Sequence, residues 1–157
     1  MDALPSYAEL AAEAEELQLA SFTHEDSWRL GSLLRGIAHE RGLPVALDVT
    51  RGEQQLFHAA LPGSSADNDA WIQRKIRIVR RCGEASLAIA QLWRERGTDA
   101  VTALHLDPAL YAAAGGCVPV VVRDAGPVGT VAVSGLPQLE DHRLAVEALR
   151  RFVTDGS

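Results

Sequence analysis

The spacing of apolar and polar positions divides the first third of the chain into helices and strands. Apolar residues at intervals of three and four predict a short helix over 5–17 and a longer one after Thr23. Thr23 is a good N-cap, since Asp26 follows three residues later as a variant of the capping box. A basic residue and a glycine at 41–42 predict the end of this helix. Between the helices, 17–22 predicts a short strand.

Two further pairs of strands are predicted where β-branched runs flank turn residues. In chain order, these four strands span about 45–50, 55–61, 118–122 and 128–133. The second pair is a hairpin, because Asp124-Ala125-Gly126-Pro127 has the composition of a turn. Together with 17–22 they predict a five-stranded antiparallel sheet with helices packed on its faces, an α+β fold.

Two helices are predicted around the hairpin. Residues 68–96 contain no proline and one interior glycine, Gly83, and their apolar positions keep a helical period. This predicts one long helix of about 40 Å at 1.5 Å per residue, with Gly83 marking a close contact or a bend. The last helix is predicted over 139–153. Ser134-Gly135 would end the preceding strand, and Pro137 would set the first helical dihedral angle.

Composition and charge narrow the class of protein. With 157 residues, 47% of them hydrophobic and 23% charged, the chain is predicted to form a single domain over 1–157. A net charge of -6 argues against a sequence-independent grip on nucleic acid. No apolar run is long enough for a membrane span, and the N-terminus lacks a secretory pattern. Cys82 and Cys117 are predicted to be buried free thiols of a cytoplasmic protein.

Several segments occur in the order expected of one protein family. They are 21–26, 55–58, 67–75, Asp107-Pro108, Gly115-Gly116 with Pro119, Gly129 to Gln138, and Glu140-Asp141-His142. On these segments the chain resembles the haem-degrading-domain family, which is related to haem-binding-protein-S-like and glycolate-operon G-like proteins, and within it an uncharacterised branch. One departure is Ala114, where the branch usually has a histidine before the double glycine.

The resemblance implies a fold, an assembly and a ligand. The fold would be a profilin-like, three-layer domain with a five-stranded antiparallel sheet. The assembly would be a homo-oligomer, and the ligand would be haem, with haem breakdown as the implied activity. A small molecule other than haem is the broader expectation.

Candidate ligand-binding residues come from three places. His58 and His105 are the best candidates for an axial ligand to haem iron, and the alternative for each is an ordinary surface or hydrogen-bonded histidine. Arg74 and Lys75 belong to a basic run on the long helix, in which Arg74, Arg77 and Arg81 are spaced so that they can share one face. That face would bind haem propionates, phosphate or an acidic partner helix, or would remain solvated or face another subunit. Gly115-Gly116 is expected to line a small pocket, although glycine pairs also serve close packing.

A second set of motif residues is interpreted as structural or as part of a subunit interface. The set is Trp71, Pro119, Gly129, Ser134, Gly135, Pro137, Asp141 and His142. Ser134, Asp141 and His142 have the residue types of a hydrolytic triad. However, a nucleophile elbow needs glycine two residues to either side of the serine, and adjacent helical residues point apart. No spacing typical of a metal site occurs among the histidines.

Two functions remain open at this stage. The first is a haem- or small-molecule-binding oligomeric domain that degrades haem if the family activity extends to this chain. The second is a non-catalytic homo-oligomeric scaffold or protein-interaction module. Neither assigns a catalytic residue.

Overall fold

The computed structural model describes residues 3–155. It contains six helices and four strands in this range. The helices are α1 (Tyr7–Glu15), α2 (His24–Glu40), α3 (Ala66–Cys82), α4 (Ser86–Glu95), α5 (Ala100–Ala103) and α6 (Gln138–Thr154). The strands are β1 (Ala46–Arg51), β2 (Gln54–Ala60), β3 (Cys117–Val122) and β4 (Gly126–Ser134). The α+β class predicted from the sequence is confirmed.

The sheet is antiparallel, with the strand order β2-β1-β4-β3. The prediction of five strands is wrong, because the segment 17–22 makes only one bridge, in which Leu19 pairs in parallel with Val122. Leu19 donates its N–H to the carbonyl of Val121 and accepts the N–H of Arg123. The alternating apolar residues that suggested a strand are buried in the core, so the pattern reports burial and not a ladder of hydrogen bonds.

The long helix predicted over 68–96 is two helices. α3 ends at Gly83, which has φ 76° and donates its N–H to Val79 O, and α4 begins three residues later. Such a left-handed residue is a common helix end, and glycine adopts it without steric cost. The Ser86 side chain at the start of α4 exchanges hydrogen bonds with the backbone of Cys117 on β3. Apolar residues keep the helical period on both sides of Gly83, so the sequence pattern does not reveal the break.

Several local predictions at helix ends can now be judged. Thr23 and Asp26 form a reciprocal capping box on α2, and Gly42 follows that helix with φ 63°. Pro137 precedes the first helical residue of α6 and occupies its N-cap, one position earlier than predicted. Cys117 is buried as predicted, but Cys82 is exposed at the end of α3, which contradicts the expectation of a buried thiol.

The two faces of the sheet differ in the size and polarity of their side chains. One face carries large aliphatic residues, among them Leu47, Val49, Val131 and Val133, which pack with α2 and α6. The other face carries small or polar residues and packs against α3. In β1 and β4 these residues are Ala46, Asp48, Thr50, Thr130, Ala132 and Ser134. Helices therefore cover both faces of the sheet, and the polar groups lie mainly under α3.

In the described part of the chain, every helix is too short or too polar to cross a membrane.

Candidate functional site

Two of the cavities around residues 3–155 have volumes of about 400 Å³ and about 310 Å³. The second lies where the first turns of α3 and α6 approach each other beyond the end of β4. We call it the lysine cavity, and define it by six of the residues that line it: Trp71, Lys75, Gly115, Ser134, Gly135 and Asp141. The sequence analysis singled out all six, for different reasons, and the fold brings them together.

Lys75 and Asp141 form a buried ion pair in the wall of this cavity. Nζ of Lys75 lies 3.3 Å from Oδ2 of Asp141 and donates a second hydrogen bond of 3.0 Å to the carbonyl of Val133. The exposed fraction of each side chain is only 4% and 3%. Lysine is seldom fully buried without a partner, so the position of the amine is set by these two acceptors.

Burial shifts the pKa of both members of the pair. Loss of solvent lowers the pKa of Lys75, and attraction to Asp141 opposes that change. Loss of solvent also raises the pKa of Asp141 to about 6, against the opposing influence of Lys75. Desolvation thus exceeds the mutual attraction for each group. Ionisable pairs perturbed in this way inside a cavity are typical of functional sites.

Asp141 also shapes the loop between β4 and α6. Its Oδ1 accepts the N–H of Leu136 at 2.9 Å, and the N–H of Gly135 stabilises the same carboxylate. The carboxylate therefore joins Lys75 of α3 to the loop that leaves the sheet. Adjacent His142 points elsewhere, as expected for neighbouring residues on a helix.

The double glycine allows the backbone to approach this pair closely. A Cβ on Gly115 would collide with the carbonyl of Gln138. Gly116 has φ 137°, and a Cβ there would collide with the carbonyl of Val133 and lie 2.7 Å from Nζ of Lys75. The two proposed roles of the glycine pair are therefore combined, since Gly115 lines the cavity while Gly116 packs behind the lysine.

The basic run on α3 does not form one binding face. Arg74, Arg77 and Arg80 each donate to a backbone carbonyl of the same chain, those of Pro108, Leu110 and Gly52 respectively. The guanidinium of Arg74 also lies 4.3 Å from the centre of the Trp71 ring. Lys75 points away from these arginines into the protein. Lys75 lies apart from Arg74 because consecutive helical residues lie on different faces. The ligand role of these two residues stays a prediction.

The two histidines proposed as haem ligands lie outside the cavity. His58 on β2 is bound through Nε2 to Asp69 Oδ1 at 2.7 Å. His105 is an exposed residue of the loop after α5, with φ 54°. Neither is among the residues that line the lysine cavity. Their ligand role stays a prediction, and the geometry of His58 matches the hydrogen-bonded alternative.

The remaining motif residues lie elsewhere in the fold. Pro119 and Gly129 of the hairpin line the cavity of about 400 Å³ at the opposite end of α3. His142 is buried, and its Nε2 lies 2.7 Å from Glu13 Oε1 of α1. The interpretation of His142 as an interface residue therefore holds only inside the chain, between α6 and α1. Pro137 caps α6 beside the lysine cavity.

Haem bound through its iron does not fit the cavities of about 400 and 310 Å³. An axial ligand is a histidine, cysteine, methionine or tyrosine. The residues around the cavities of about 400 and 310 Å³ include none of these four types. His142 does line a cavity, but that cavity has about 20 Å³, which is room for one water molecule. Within the same residues, no group of three metal-binding side chains is close enough together to hold an ion.

Lys75 also differs from the other basic residues in a way that is visible in the sequence. The chain has 15 basic residues, and Lys75 is the only lysine among them. Arginine occupies every other basic position, but arginine cannot lose its proton in a protein, whereas a buried lysine can. A count of lysines against arginines would have separated Lys75 from the basic run.

Comparison with known proteins places this chain in a family. The model of the family described as haem degrading protein HbpS-like matches residues 22–150. This chain belongs to the HbpS-like family.

Three similar proteins illustrate the range of the HbpS-like family and its fold. A UPF0303 protein of Streptomyces coelicolor is 55% identical over 149 residues, which cover 95% of this chain and 94% of that protein. The Ybr137w protein, known from a crystal structure, has 31% sequence identity to this chain. The two structures superpose with a TM-score of 0.88 over 98% of this chain and 90% of the other. A PduOC:heme complex has 14% identity and a TM-score of 0.68 over 85% and 95% of the two chains, so it shows the fold alone.

Proposed function

We propose that this HbpS-like protein binds a small molecule in the lysine cavity. The observation that carries the proposal is the Lys75–Asp141 pair, whose two buried charges form part of the cavity wall. A protein fold stabilised by packing alone has little need for such a pair, because replacing it by apolar residues often leaves stability unchanged. A few converging polar groups in a concave site are typical of ligand binding.

The surroundings of the pair favour a small polar ligand. Two helices, α3 and α6, begin at the cavity, so the partial positive charge of both N-termini faces it. Trp71 adds an aromatic wall with an exposed fraction of 36%. A volume of about 310 Å³ lies at the lower end of the range for small-molecule sites.

Haem is the ligand that family membership suggests, and a fold neighbour is a heme complex. For this chain, haem would need a ligand outside the cavities described above, such as His58 or His105. We therefore make haem a separate arm of the test and assign no haem-degrading step to any residue.

The test for the lysine cavity is a ligand screen by thermal shift on the purified protein, with small carboxylates, phosphates and carbonyl compounds. Ligands that raise Tm are then tested on Ala114→Phe, which places a large side chain at a position that lines the cavity. We expect the shift to disappear in this variant. Ala109→Phe, on the exposed loop before it, is the matched control and should keep the shift. Ligand shifts that survive Ala114→Phe would refute the location.

Hemin is titrated separately and followed by its Soret band. We expect any bound spectrum to persist in Ala114→Phe and to change in His58→Ala or His105→Ala, because these two exposed imidazoles are the candidate axial ligands. A free-hemin spectrum that ignores both histidine variants would remove haem from consideration.

A second function, a homo-oligomeric scaffold, is favoured by one exposed aromatic group. Trp28 of α2 has an exposed fraction of 60% and packs edge-on against Phe57 of β2, with ring centres 5.5 Å apart. β2 is an edge strand, so its outer backbone groups are available for pairing. We propose that copies of the chain associate through this surface. Light scattering should then show an oligomer that Trp28→Glu dissociates, with Trp71→Glu as the control, and a monomeric parent protein would overturn the proposal.

We also propose that the protein is a single domain over 1–157 that works in the cytoplasm. Support for one domain is that both groups of core residues pack on the same sheet. The two free cysteines suit a reducing compartment. Limited proteolysis and localisation of a tagged copy would test these two statements.

A further inference from the structure

The hydrogen bonds of Lys75 match those of a neutral amine. Nζ has two acceptors among residues 3–155, the carbonyl of Val133 and Oδ2 of Asp141. An ammonium group carries three N–H bonds, whereas a neutral amine carries two and a lone pair. Two acceptors therefore satisfy the neutral form completely and leave one tetrahedral direction of the nitrogen unused.

The backbone of Gly116 lies close to this nitrogen. Gly116 has no Cβ, and a side chain there would come within 2.7 Å of Nζ. Lys75 is one of the residues that line the lysine cavity, so its side chain adjoins the space in which a ligand would bind. Asp141 lies on the same cavity and is the nearest group that can give or take a proton.

We propose that Lys75 is a nucleophile that forms an imine with a small aldehyde or ketone bound in the lysine cavity. The inference rests on the proposed function, because it names the ligand class of the same site. Lysine performs this chemistry where burial favours its neutral form, and arginine cannot replace it. The use of lysine at this one position of the chain, and arginine at all other basic positions, follows from that difference.

The step balances without any other reactant. The lone pair of Nζ attacks the carbonyl carbon, a C–N bond forms, and the π electrons move to oxygen, which takes a proton from the Asp141 carboxyl group. The nitrogen then loses a proton to the Asp141 carboxylate. The Asp141 carboxyl group then gives this proton to the oxygen, which leaves as water while the nitrogen lone pair forms the C=N bond. The resulting iminium ion returns the proton to the Asp141 carboxylate to give the imine. Burial supports both roles, because it lowers the pKa of Lys75 and raises the pKa of Asp141 to about 6.

The test is reductive trapping on the full chain at pH 7, with propanal as the carbonyl probe and cyanoborohydride as the reductant of the imine. Peptide mass spectrometry separates a propyl group on Lys75 from one on the N-terminal amine. The matched comparison is Arg81→Lys, which adds an amine at an exposed position of the same helix. We expect Lys75 to be alkylated several-fold faster than the added amine, because burial lowers the pKa of Lys75 and leaves more of the neutral amine at pH 7.

Further variants separate the inference from the proposed site. Ala114→Phe should slow alkylation of Lys75 and leave the amine at position 81 unaffected. Asp141→Asn should slow trapping as well, and circular dichroism shows whether that variant is folded. Alkylation of the added amine with none at Lys75 would overturn the imine proposal. If Lys75 is not alkylated but ligands still raise the Tm of the parent protein and not that of Ala114→Phe, the cavity remains a site for non-covalent ligands. Without those shifts the proposed function would fail too.

Discussion

The two faces of the sheet are formed by the same strands, but one is packed with aliphatic side chains and the other holds buried polar groups. On the face toward α2 and α6, aliphatic side chains such as Leu47 and Val133 are fully buried and need no hydrogen-bond partners. On the face toward α3, the alternate residues are small or polar, and Lys75 enters from the helix to reach the carbonyl of Val133. Small side chains leave room for buried polar groups, so the α3 face can hold a site while the other face stabilises the fold.

The largest effect is expected from breaking the buried pair on the α3 face. Asp141→Ala breaks the buried pair and leaves Nζ of Lys75 with one remaining acceptor, and we expect the free energy of unfolding to fall by about 3–5 kcal/mol. Denaturant unfolding measures this change. The double variant Lys75→Met, Asp141→Leu removes both charges and should recover much of the loss. A stable single variant would show that the pair is not held as described.

A smaller loss is expected on the aliphatic face. Leu47→Ala removes a fully buried side chain and should cost about 3 kcal/mol, from lost burial and the cavity left behind. Ala46→Gly, the next residue on the same strand, faces α3 and should cost about 1 kcal/mol. Equal losses at the two positions would contradict the difference between the faces.

The pH dependence of stability should distinguish the faces as well. Folding raises the pKa of Asp141 from 3.8 to about 6. Its contribution to stability is therefore complete below about pH 4 and is lost as pH rises through 6. Relative to Asp141→Asn, the parent protein should lose about 1–3 kcal/mol over this interval. Urea unfolding at several pH values measures the difference between the two proteins, and parallel curves would disprove the shift.

The smallest effect is expected at a neutral contact on the α3 face. The hydroxyl groups of Thr50 and Thr130 are buried and 2.6 Å apart across β1 and β4. Thr50→Val leaves one hydroxyl without its partner and should cost about 1 kcal/mol. Replacing both threonines by valine should cost less than the sum of the single changes. A thermodynamic cycle of the four proteins gives the coupling energy, and strict additivity would argue against the contact.

Local signals account for the parts of the fold that were predicted from the sequence. The capping box at Thr23 and the glycine at 42 act within one helical turn, so the bounds of α2 were found correctly. The hairpin of β3 and β4 was also found, because its turn residues lie between two β-branched runs. The break at Gly83 and the missing fifth strand depend on what the chain packs against, which periodicity does not report.

The candidate site shows the same difference between what local sequence signals predict and what depends on packing. The motif residues were identified, yet nothing in the sequence pattern placed Lys75 in a site distinct from the rest of the basic run. Only the packing of α3 on the sheet shows that Lys75 points inward while Arg74 lies against Trp71. The convergence of Gly115, Ser134 and Asp141 joins segments about 20 residues apart, and no local pattern encodes it.

The segment before Ala114 and Gly115, which line the lysine cavity, has its own attachment. The segment 108–112 is held against α3 by Arg74 and Arg77, which donate to the carbonyls of Pro108 and Leu110, and by the N–H of Ala112, which donates to the carbonyl of Arg74. All three bonds depend on two residues one turn apart. Detachment of the segment would break them together, so it should open as one cooperative unit, and hydrogen exchange at the N–H of Ala112 would report that opening.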